Sequence, residues 1–342
     1  MDFIDFHCDT ASLMWERGEH LKANTLKIDI KKLQKGEALA QFFAMYIDKT
    51  SVDSSYGYCM VLLENFKQEL QLNQKNIMLC KNHEDLMKAK TENKIGAFLS
   101  IEEGDAVDGD LNKLRHFKEQ GISLITLTWN YENALGYPNY EFTYQHKGLK
   151  PKGIEVVAEM NHLGMIIDVS HLSDAGFEDV LKHSQYPIIA SHSNSRTQTH
   201  HARNLSDEMI KKLADNGGLT GINYFNNFLV EGVLKEKLET STIADMVRHI
   251  KHIRSVGGIE VIGLGSDFDG IPNPVEIEDS SQMSKLSDAL LKASFSYEEI
   301  EKIFYKNGRR IIKDVLHSRI FYTPLSIMTL FSYLSTPQTL LF

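Results

Sequence analysis

Two side chains that can bind a metal ion, His7 and Asp9, lie near the end of the short stretch FIDFHCDT at positions 3 to 10. Phe3, Ile4 and Phe6 suit a buried strand, and side chains two residues apart in an extended segment point to the same side. An imidazole nitrogen and a carboxylate oxygen could therefore meet at one divalent metal ion. A hydrogen-bonded pair or a turn is the competing interpretation of this HxD pair, so the rest of the chain decides.

Eight apolar runs recur along the chain, usually separated by segments of helical periodicity that often end on glycine. The runs span 3–7, 40–47, 95–101, 122–129, 165–170, 187–192, 219–225 and 261–266. Eight strands alternating with helices predict an α/β protein with a (β/α)8 TIM barrel of the metal-dependent hydrolase type.

A barrel of this kind builds its active site at the carboxyl ends of its strands. The predicted ends carry several residues suited to catalysis or metal binding: His7 and Asp9, Glu102, Trp129, His171, His192 and Asp267. The seventh run ends in INYFNN, where Tyr224 is a candidate substrate contact. Five strands would thus bring His, Asp or Glu to one rim, and the first strand must do so as soon as the chain begins.

Three histidines and two carboxylates are the ligands that a pair of zinc ions would need. We assign His7 and Asp9 to one Zn²⁺, His171 and His192 to a second, and Glu102 to a bridging position between them. Two zinc ions per chain would lower the pKa of a shared water, which makes a bridging hydroxide available near neutral pH.

Two further residues suit the ends of a substrate. Asp267, in GLGSDFDG, could accept the proton of the nucleophile or hold an ammonium group. Arg203, in HHARN, could bind a substrate carboxylate through two hydrogen bonds, and a surface salt bridge is an equally weighted alternative.

Composition excludes some classes of protein. A chain of 342 residues can bury one large barrel, and its net charge of −9 without a basic stripe argues against a nucleic-acid partner. No secretory signal precedes His7, and Cys8, Cys59 and Cys80 lack CxxC or zinc-ribbon spacing. We therefore expect a cytoplasmic protein with free thiols.

We assign residues 1–316 to the barrel domain and 317–342 to a C-terminal tail, in which residues 320–342 carry no charge. Pro324 and Pro337 interrupt this segment, so we expect no membrane contact. Packing against the barrel, or against a second subunit in a homodimer, is favoured. His249 and His252, three residues apart on a polar helix face, are expected at the surface.

The motifs FHCDT, SIEEGD, DVSH, ASHSN followed by HHARN, and GLGSDFDG resemble those of the membrane (renal) dipeptidase family of zinc peptidases in order and separation. The resemblance runs from about residue 3 to residue 316. It implies a (β/α)8 barrel with a binuclear zinc site that hydrolyses dipeptides, including those with a C-terminal D-residue.

Matched position by position, the resemblance implies roles for seven residues. The zinc ligands would be His7, Asp9, Glu102, His171 and His192, with Glu102 rather than Glu103 as the bridging carboxylate. Arg203 would bind the free carboxylate of the substrate. Asp267 would lie near the substrate amine and the attacking water and act with Glu102 in catalysis.

The chain departs from the family at Trp129. Many members carry a histidine there, after threonine-leucine-threonine, that helps to hold the scissile carbonyl, whereas this chain has LTLTWN. The indole N–H is a donor, and Asn130 and Tyr131 follow it, but we favour Trp129 as a wall of the substrate pocket.

The sequence therefore predicts a cytoplasmic zinc metallo-dipeptidase that acts on small free dipeptides. One alternative is another amidohydrolase-like enzyme of small amides, whose sites usually begin with HxH rather than HxD. The other is a barrel that binds metal and a peptide ligand without turnover, in which Trp129 in place of the family histidine would account for the lost activity.

Overall fold

The computed structural model describes residues 1–232 and 238–316 of the chain. Its nine described strands form one sheet in which each paired neighbour is parallel. They are β1 (Phe3–Asp5), β2 (Ala38–Tyr46), β3 (Ile77–Leu79), β4 (Ile95–Glu102), β5 (Ile122–Thr126), β6 (Ile166–Asp168), β7 (Ile189–Ala190), β8 (Leu219–Ile222) and β9 (Ile262–Leu264).

The sheet closes into a barrel because β4 pairs with β2 along seven residues, from Ala40 opposite Gly96 to Tyr46 opposite Glu102. Around the barrel the order is β1, β2, β4, β5, β6, β7, β8 and β9, and β9 returns to β1. The short β3 pairs with the start of β4, ahead of the residues that pair with β5. The predicted (β/α)8 barrel is confirmed, and β3 is an addition that the apolar runs did not indicate.

Helices follow the strands and surround the barrel. Those of the described chain are α1 (Thr10–Arg17), α2 (Ile30–Lys35), α3 (Ser55–Leu72), α4 (His83–Thr91), α5 (Leu111–Gln120), α6 (Pro151–Leu163), α7 (Asp174–His183), α8 (Asp207–Asp215), α9 (Asn226–Leu229), α10 (Ile243–Gly257), α11 (Ser284–Lys292), α12 (Tyr297–Glu301) and α13 (Asn307–Val315). A π-helical turn, Lys302–Lys306, joins the last two. None of the described helices is long and apolar enough to cross a membrane.

Two apolar layers stabilise the barrel. The larger one packs the helices on the outer faces of the strands, and a smaller one contains alternate strand residues and part of α13. In the smaller layer Phe6, Phe42 and Phe98 stack with ring centroids 4.6 and 4.7 Å apart. Because side chains alternate along a strand, Glu102 lies on the same face of β4 as Phe98, above this apolar stack.

The strands β7, β8 and β9 approach each other closely next to the predicted site. A Cβ atom at Gly221 or Gly265 would lie 2.0 or 1.8 Å from the carbonyl oxygen of Ser191. A side chain at either position would push Ser191 away, and His192 with it. The tail at 317–342 lies outside the described residues.

Candidate active site

The carboxylate of Glu102, the last residue of β4, lies between three histidines from three other strand ends. Its Oε2 atom is 3.2 Å from His7 Nε2. Its Oε1 atom is 3.1 Å from His171 Nε2 and 3.3 Å from His192 Nε2. The two oxygens of one carboxylate therefore face two different sets of imidazole nitrogens.

Two more carboxylates surround His7. Its Nε2 atom is 3.4 Å from Asp9 Oδ1 and 3.8 Å from Asp267 Oδ1. Asp9 occupies the N-cap position of α1, where a carboxylate usually accepts a backbone hydrogen bond, but it makes no such bond. Its side chain points to the cluster instead.

The donor atoms of this cluster suit a metal ion better than they suit each other. Both ring nitrogens of His7 and Asp9 Oδ1 are buried without a hydrogen-bond partner in the described structure. Buried polar atoms of this kind are rare in folded proteins. Two sets have donor atoms within 4.8 Å of one another, namely His7 with Glu102 and His192, and His7 with Asp9 and Asp267.

Electrostatics point the same way. Burial, together with the neighbouring Glu102, raises the pKa of Asp9 to about 8. Burial also lowers the pKa of His171 to about 4 and holds the pKa of His192 well below its usual range. Burial opposes a charge on His7, but the carboxylates of Glu102 and Asp9 outweigh it and hold the pKa of His7 well above its usual range. The crowded carboxylates therefore favour a positive charge among them, which a divalent metal ion would supply.

Further side chains fix which nitrogen of each histidine faces Glu102. His171 Nδ1 lies 3.1 Å from Asn130 Oδ1, and His192 Nδ1 lies 2.7 Å from Ser191 Oγ. The Ser191 hydroxyl is also 2.6 Å from Asp168 Oδ2, to which it donates. These contacts leave both Nε2 atoms directed at the cluster, as outer partners of metal ligands do. The sequence patterns indicated Asn130 only as a neighbour of Trp129, and they did not indicate Ser191 or Asp168, although Asp168 lies in the DVSH motif.

Strained backbone separates Glu102 from Glu103. The φ angle of Glu103 is 116°, a conformation that costs a non-glycine residue about 1–3 kcal/mol. The buried Glu103 carboxylate accepts hydrogen bonds from Asp105 N at 2.9 Å and Trp129 N at 3.3 Å. It therefore ties two loops together, while Glu102 faces the histidines. His171 and Asp267 also have positive φ angles, of 65° and 62°.

Arg203 is buried beside the cluster and is not a surface residue. Its guanidinium donates to Ser193 Oγ at 3.3 Å and to the His192 carbonyl at 3.2 Å, and it lies 5.2 Å from the Phe228 ring centroid. Its Nε atom has no partner in the described structure. Burial lowers its pKa to about 10, so it remains a cation at neutral pH. A buried cation with a spare donor is suited to an anionic ligand.

Asp267 lies close to both His7 and Arg203. Asn223 Nδ2 donates to Asp267 Oδ2 at 2.9 Å, and burial raises the pKa of the Asp267 carboxyl group. Asn223, which follows β8 and orients this carboxylate, carries no signal in the sequence motifs.

A cavity of about 470 Å³ opens above the cluster. Its lining includes the predicted site residues Asp9, Glu102, Trp129, His171, Arg203 and Asp267. Trp129 forms part of the wall, with its ring edge-on to Tyr46 at 5.0 Å between centroids.

Tyr224 is not among the residues that line this cavity. It is fully buried, and its hydroxyl lies 3.7 Å from Met283 Sδ. The preceding Asn223 points to Asp267, so backbone alternation turns Tyr224 away. Phe225 and Phe228 line the cavity from this loop instead, which corrects the prediction of a Tyr224 contact.

Comparison with known proteins identifies the family. Residues 1–319 match the family model described as membrane dipeptidase, peptidase family M19. The chain belongs to the membrane dipeptidase family. It is 32% identical over 304 residues to an uncharacterized dipeptidase of Schizosaccharomyces pombe, and the aligned region covers 84% of this chain and 72% of that protein. It is 29% identical over 323 residues to dipeptidase tcpJ of Claviceps purpurea, and this alignment covers 92% of this chain and 73% of that protein.

Solved structures share the fold at low identity. A metallo peptidase from Rhodobacter sphaeroides, liganded with a phosphinate mimic of the dipeptide L-Ala-D-Ala, superposes with a TM-score of 0.83 and 21% identity, over 92% of this chain and 99% of that one. A second structure, dipeptidase AC of family M19, gives a TM-score of 0.85 and 21% identity, over 93% of this chain and 99% of that one. Membership of the peptidase family therefore identifies this protein as a metallo-dipeptidase, and the solved structures share its barrel fold.

His249 is buried, which corrects the prediction of a surface residue. Its Nδ1 atom accepts a hydrogen bond from Ser195 N at 3.1 Å, and its Nε2 atom lies 3.0 Å from the Leu229 carbonyl. It therefore joins α10 to the loop that carries Arg203 and to the end of α9. His252, one turn later, is partly exposed and lies 2.8 Å from Asp207.

Replacing His249 with leucine should lower the free energy of unfolding by about 1–3 kcal/mol, because the buried Ser195 N–H loses its acceptor. The matched change His252→Leu, which removes a more exposed pair, should cost less than about 1 kcal/mol. Urea unfolding of the three proteins at pH 7.5 and equal metal content measures both values.

The same measurement has an expected pH dependence. Burial lowers the pKa of His249 from 6.5 to about 4, so its neutral form stabilises the fold above the pKa of the unfolded chain. That stabilisation is lost as the pH falls towards 4, and the gap between wild type and His249→Leu should narrow over this range. A gap that stays constant with pH would show that His249 is not held neutral by the fold.

Proposed function

We propose that this protein is a dinuclear zinc dipeptidase that hydrolyses free dipeptides, including those of the L-Xaa-D-Xaa type. The observation that carries the proposal is the placement of Glu102, whose two oxygens face His7 on one side and His171 with His192 on the other. A carboxylate so placed is suited to bridging two ions.

The residues present fit two zinc ions. His7, Asp9 and one oxygen of Glu102 would hold the first ion, and His171, His192 and the other oxygen would hold the second. Imidazole and carboxylate ligands without thiolates are typical of catalytic zinc sites. When bound, the metal pair supplies Lewis-acid polarisation of a carbonyl and a lowered pKa for water.

The protein's own residues orient the substrate between its two charged ends. Arg203, with an unpartnered Nε atom and a position over Phe228, would bind the free carboxylate of the dipeptide. Asp267, held by Asn223, would face the amino end and receive the proton of the attacking water at its carboxylate. The same carboxyl group would then return the proton to the leaving amine.

Tolerance of a C-terminal D-residue is supported by the shape of the cavity. If the metal pair and Arg203 hold the carbonyl and the terminal carboxylate, the outer side chain is free to point either way in a space of about 470 Å³. The related Rhodobacter sphaeroides peptidase accommodates a mimic of L-Ala-D-Ala on the same fold.

The three buried, free cysteines are compatible with the proposed cytoplasmic location.

Metal analysis tests the bridging role. The purified protein should hold about two zinc ions per chain. Glu102→Gln, which removes the charge shared by both sites, should lower the zinc content and abolish most activity. The adjacent Glu103→Gln is the matched control, and it should retain both ions because Glu103 faces the loops rather than the histidines. A single tightly bound ion that survives Glu102→Gln would contradict a bridging carboxylate.

A second test concerns the carboxylate end of the substrate. Arg203→Lys keeps the charge but loses the paired donors, so it should raise KM for free dipeptides by about tenfold or more and leave dipeptide amides nearly unaffected. Arg196→Lys serves as the control, because Arg196 binds Asp174 outside the cavity lining. Equal losses on both kinds of substrate would remove Arg203 from the carboxylate site.

The third test concerns Trp129. An N–H donor to the developing oxyanion is worth roughly 3 kcal/mol, so Trp129→His should change kcat more than KM. Both constants should be measured on an L-L and an L-D dipeptide, with Trp129→Phe as a control that keeps a ring but no donor. If Trp129→His only lowers stability and the wild type is already fast on both substrates, Trp129 is a pocket wall and needs no replacement donor.

A further inference from the structure

One wall of the cavity is a face of helix α1. Asp9, Ser12, Leu13 and Glu16 all line the cavity, and their spacing of three, four and seven residues places them on one side of the helix. The wall is held in place because Ser12 Oγ accepts a hydrogen bond from Tyr46 N at 2.8 Å. It begins at the buried Asp9 and ends at the exposed Glu16, about 10 Å further along the helix axis.

This wall lies across the barrel from Arg203. Arg203 is in the loop after β7, and the strand order places β2 opposite β7, with β1 beside β2. A dipeptide whose carboxylate contacts Arg203 and whose scissile bond lies over Glu102 therefore directs its amino-terminal residue towards β1, β2 and α1.

The space beside α1 has apolar sides and an acidic end. Leu13, Tyr46, Ile271 and Pro272 line it together with Glu16. Glu16 is exposed and interacts with the Tyr58 hydroxyl, and no lysine or arginine in residues 1–232 and 238–316 forms an ion pair with it. The neighbouring Asp269 is committed to Thr10 Oγ1 at 2.6 Å and Lys27 N at 2.8 Å.

We propose that Glu16 selects dipeptides whose amino-terminal residue has a long cationic side chain, as arginine and lysine do. The proposal rests on the dipeptidase function above and adds the substrate class. The methylene stem of such a side chain would pack along Leu13 and Ile271, and its charged head would reach the Glu16 carboxylate in water. The amino group itself stays with Asp267, so Glu16 contributes to specificity and not to the chemical step.

The test compares kcat/KM for L-Arg-L-Ala and L-Met-L-Ala with the zinc-loaded enzyme. Wild type should favour the arginine substrate by about fivefold, the contribution of a partly exposed ion pair, and 0.5 M NaCl should reduce this ratio. Glu16→Gln should bring the ratio close to one, chiefly by lowering kcat/KM for L-Arg-L-Ala. Glu141→Gln is the matched control, since Glu141 lines the same cavity from the loop after β5 and should leave the ratio unchanged.

A binding measurement separates this proposal from the dipeptidase function. Phosphinate dipeptide mimics with an arginine or a methionine side chain at the amino end are titrated calorimetrically into wild type and Glu16→Gln. Dipeptide turnover with a ratio that Glu16→Gln leaves unchanged would overturn the role of Glu16 and keep the proposed function. No dipeptide turnover with zinc bound would overturn the proposed function. In that case, tighter binding of the arginine mimic than of the methionine mimic to wild type, lost in Glu16→Gln, would support Glu16, and equal affinities would overturn its role.

Discussion

The site depends on one buried carboxylate. Glu102 lies 3.1 to 3.3 Å from three imidazole nitrogens and is 2% exposed. A charge removed from water in this way is costly unless cations or hydrogen bonds compensate it. Here the nearest donors are histidines that burial keeps neutral, apart from His7, so metal ions are the natural compensation. The geometry around Glu102 therefore links the fold of the barrel to its chemistry.

Two other buried carboxylates stabilise the loops that present the histidines. Asp168, at the end of β6, accepts hydrogen bonds from Ser170 N at 2.9 Å and Ser191 N at 2.8 Å. Asp5, at the end of β1, accepts from His7 N at 3.2 Å and Ser266 N at 3.0 Å. Each carboxylate joins neighbouring strand ends through the backbone. These contacts compensate the strained backbone at His171 and Asp267 and hold the side chains around Glu102 in position.

The cavity has a different character at its two ends. Arg203 and Phe228 provide a buried cation over an aromatic ring, while the α1 side provides aliphatic contacts that lead to an exposed carboxylate. The fold is shared with metallopeptidases at 21% identity, so the barrel tolerates wide change in the residues around it. Trp129 lines the cavity from the loop after β5 and Glu16 lines it from helix α1, so both lie outside the sheet that the fold requires.

The sequence by itself determined the barrel and the family. Apolar runs ending in His, Asp or Glu mark strand ends, and the carboxyl ends of parallel strands must meet at one rim. Only the tertiary structure decided how the two oxygens of Glu102 divide among the histidines, that Arg203 is buried, and that Asn130, Ser191 and Asn223 orient their neighbours. It also placed Tyr224 and His249 in the interior, against expectation. Strand periodicity is local and can be recognised in a short window, whereas these contacts join loops far apart in the chain and depend on the closed barrel for their geometry.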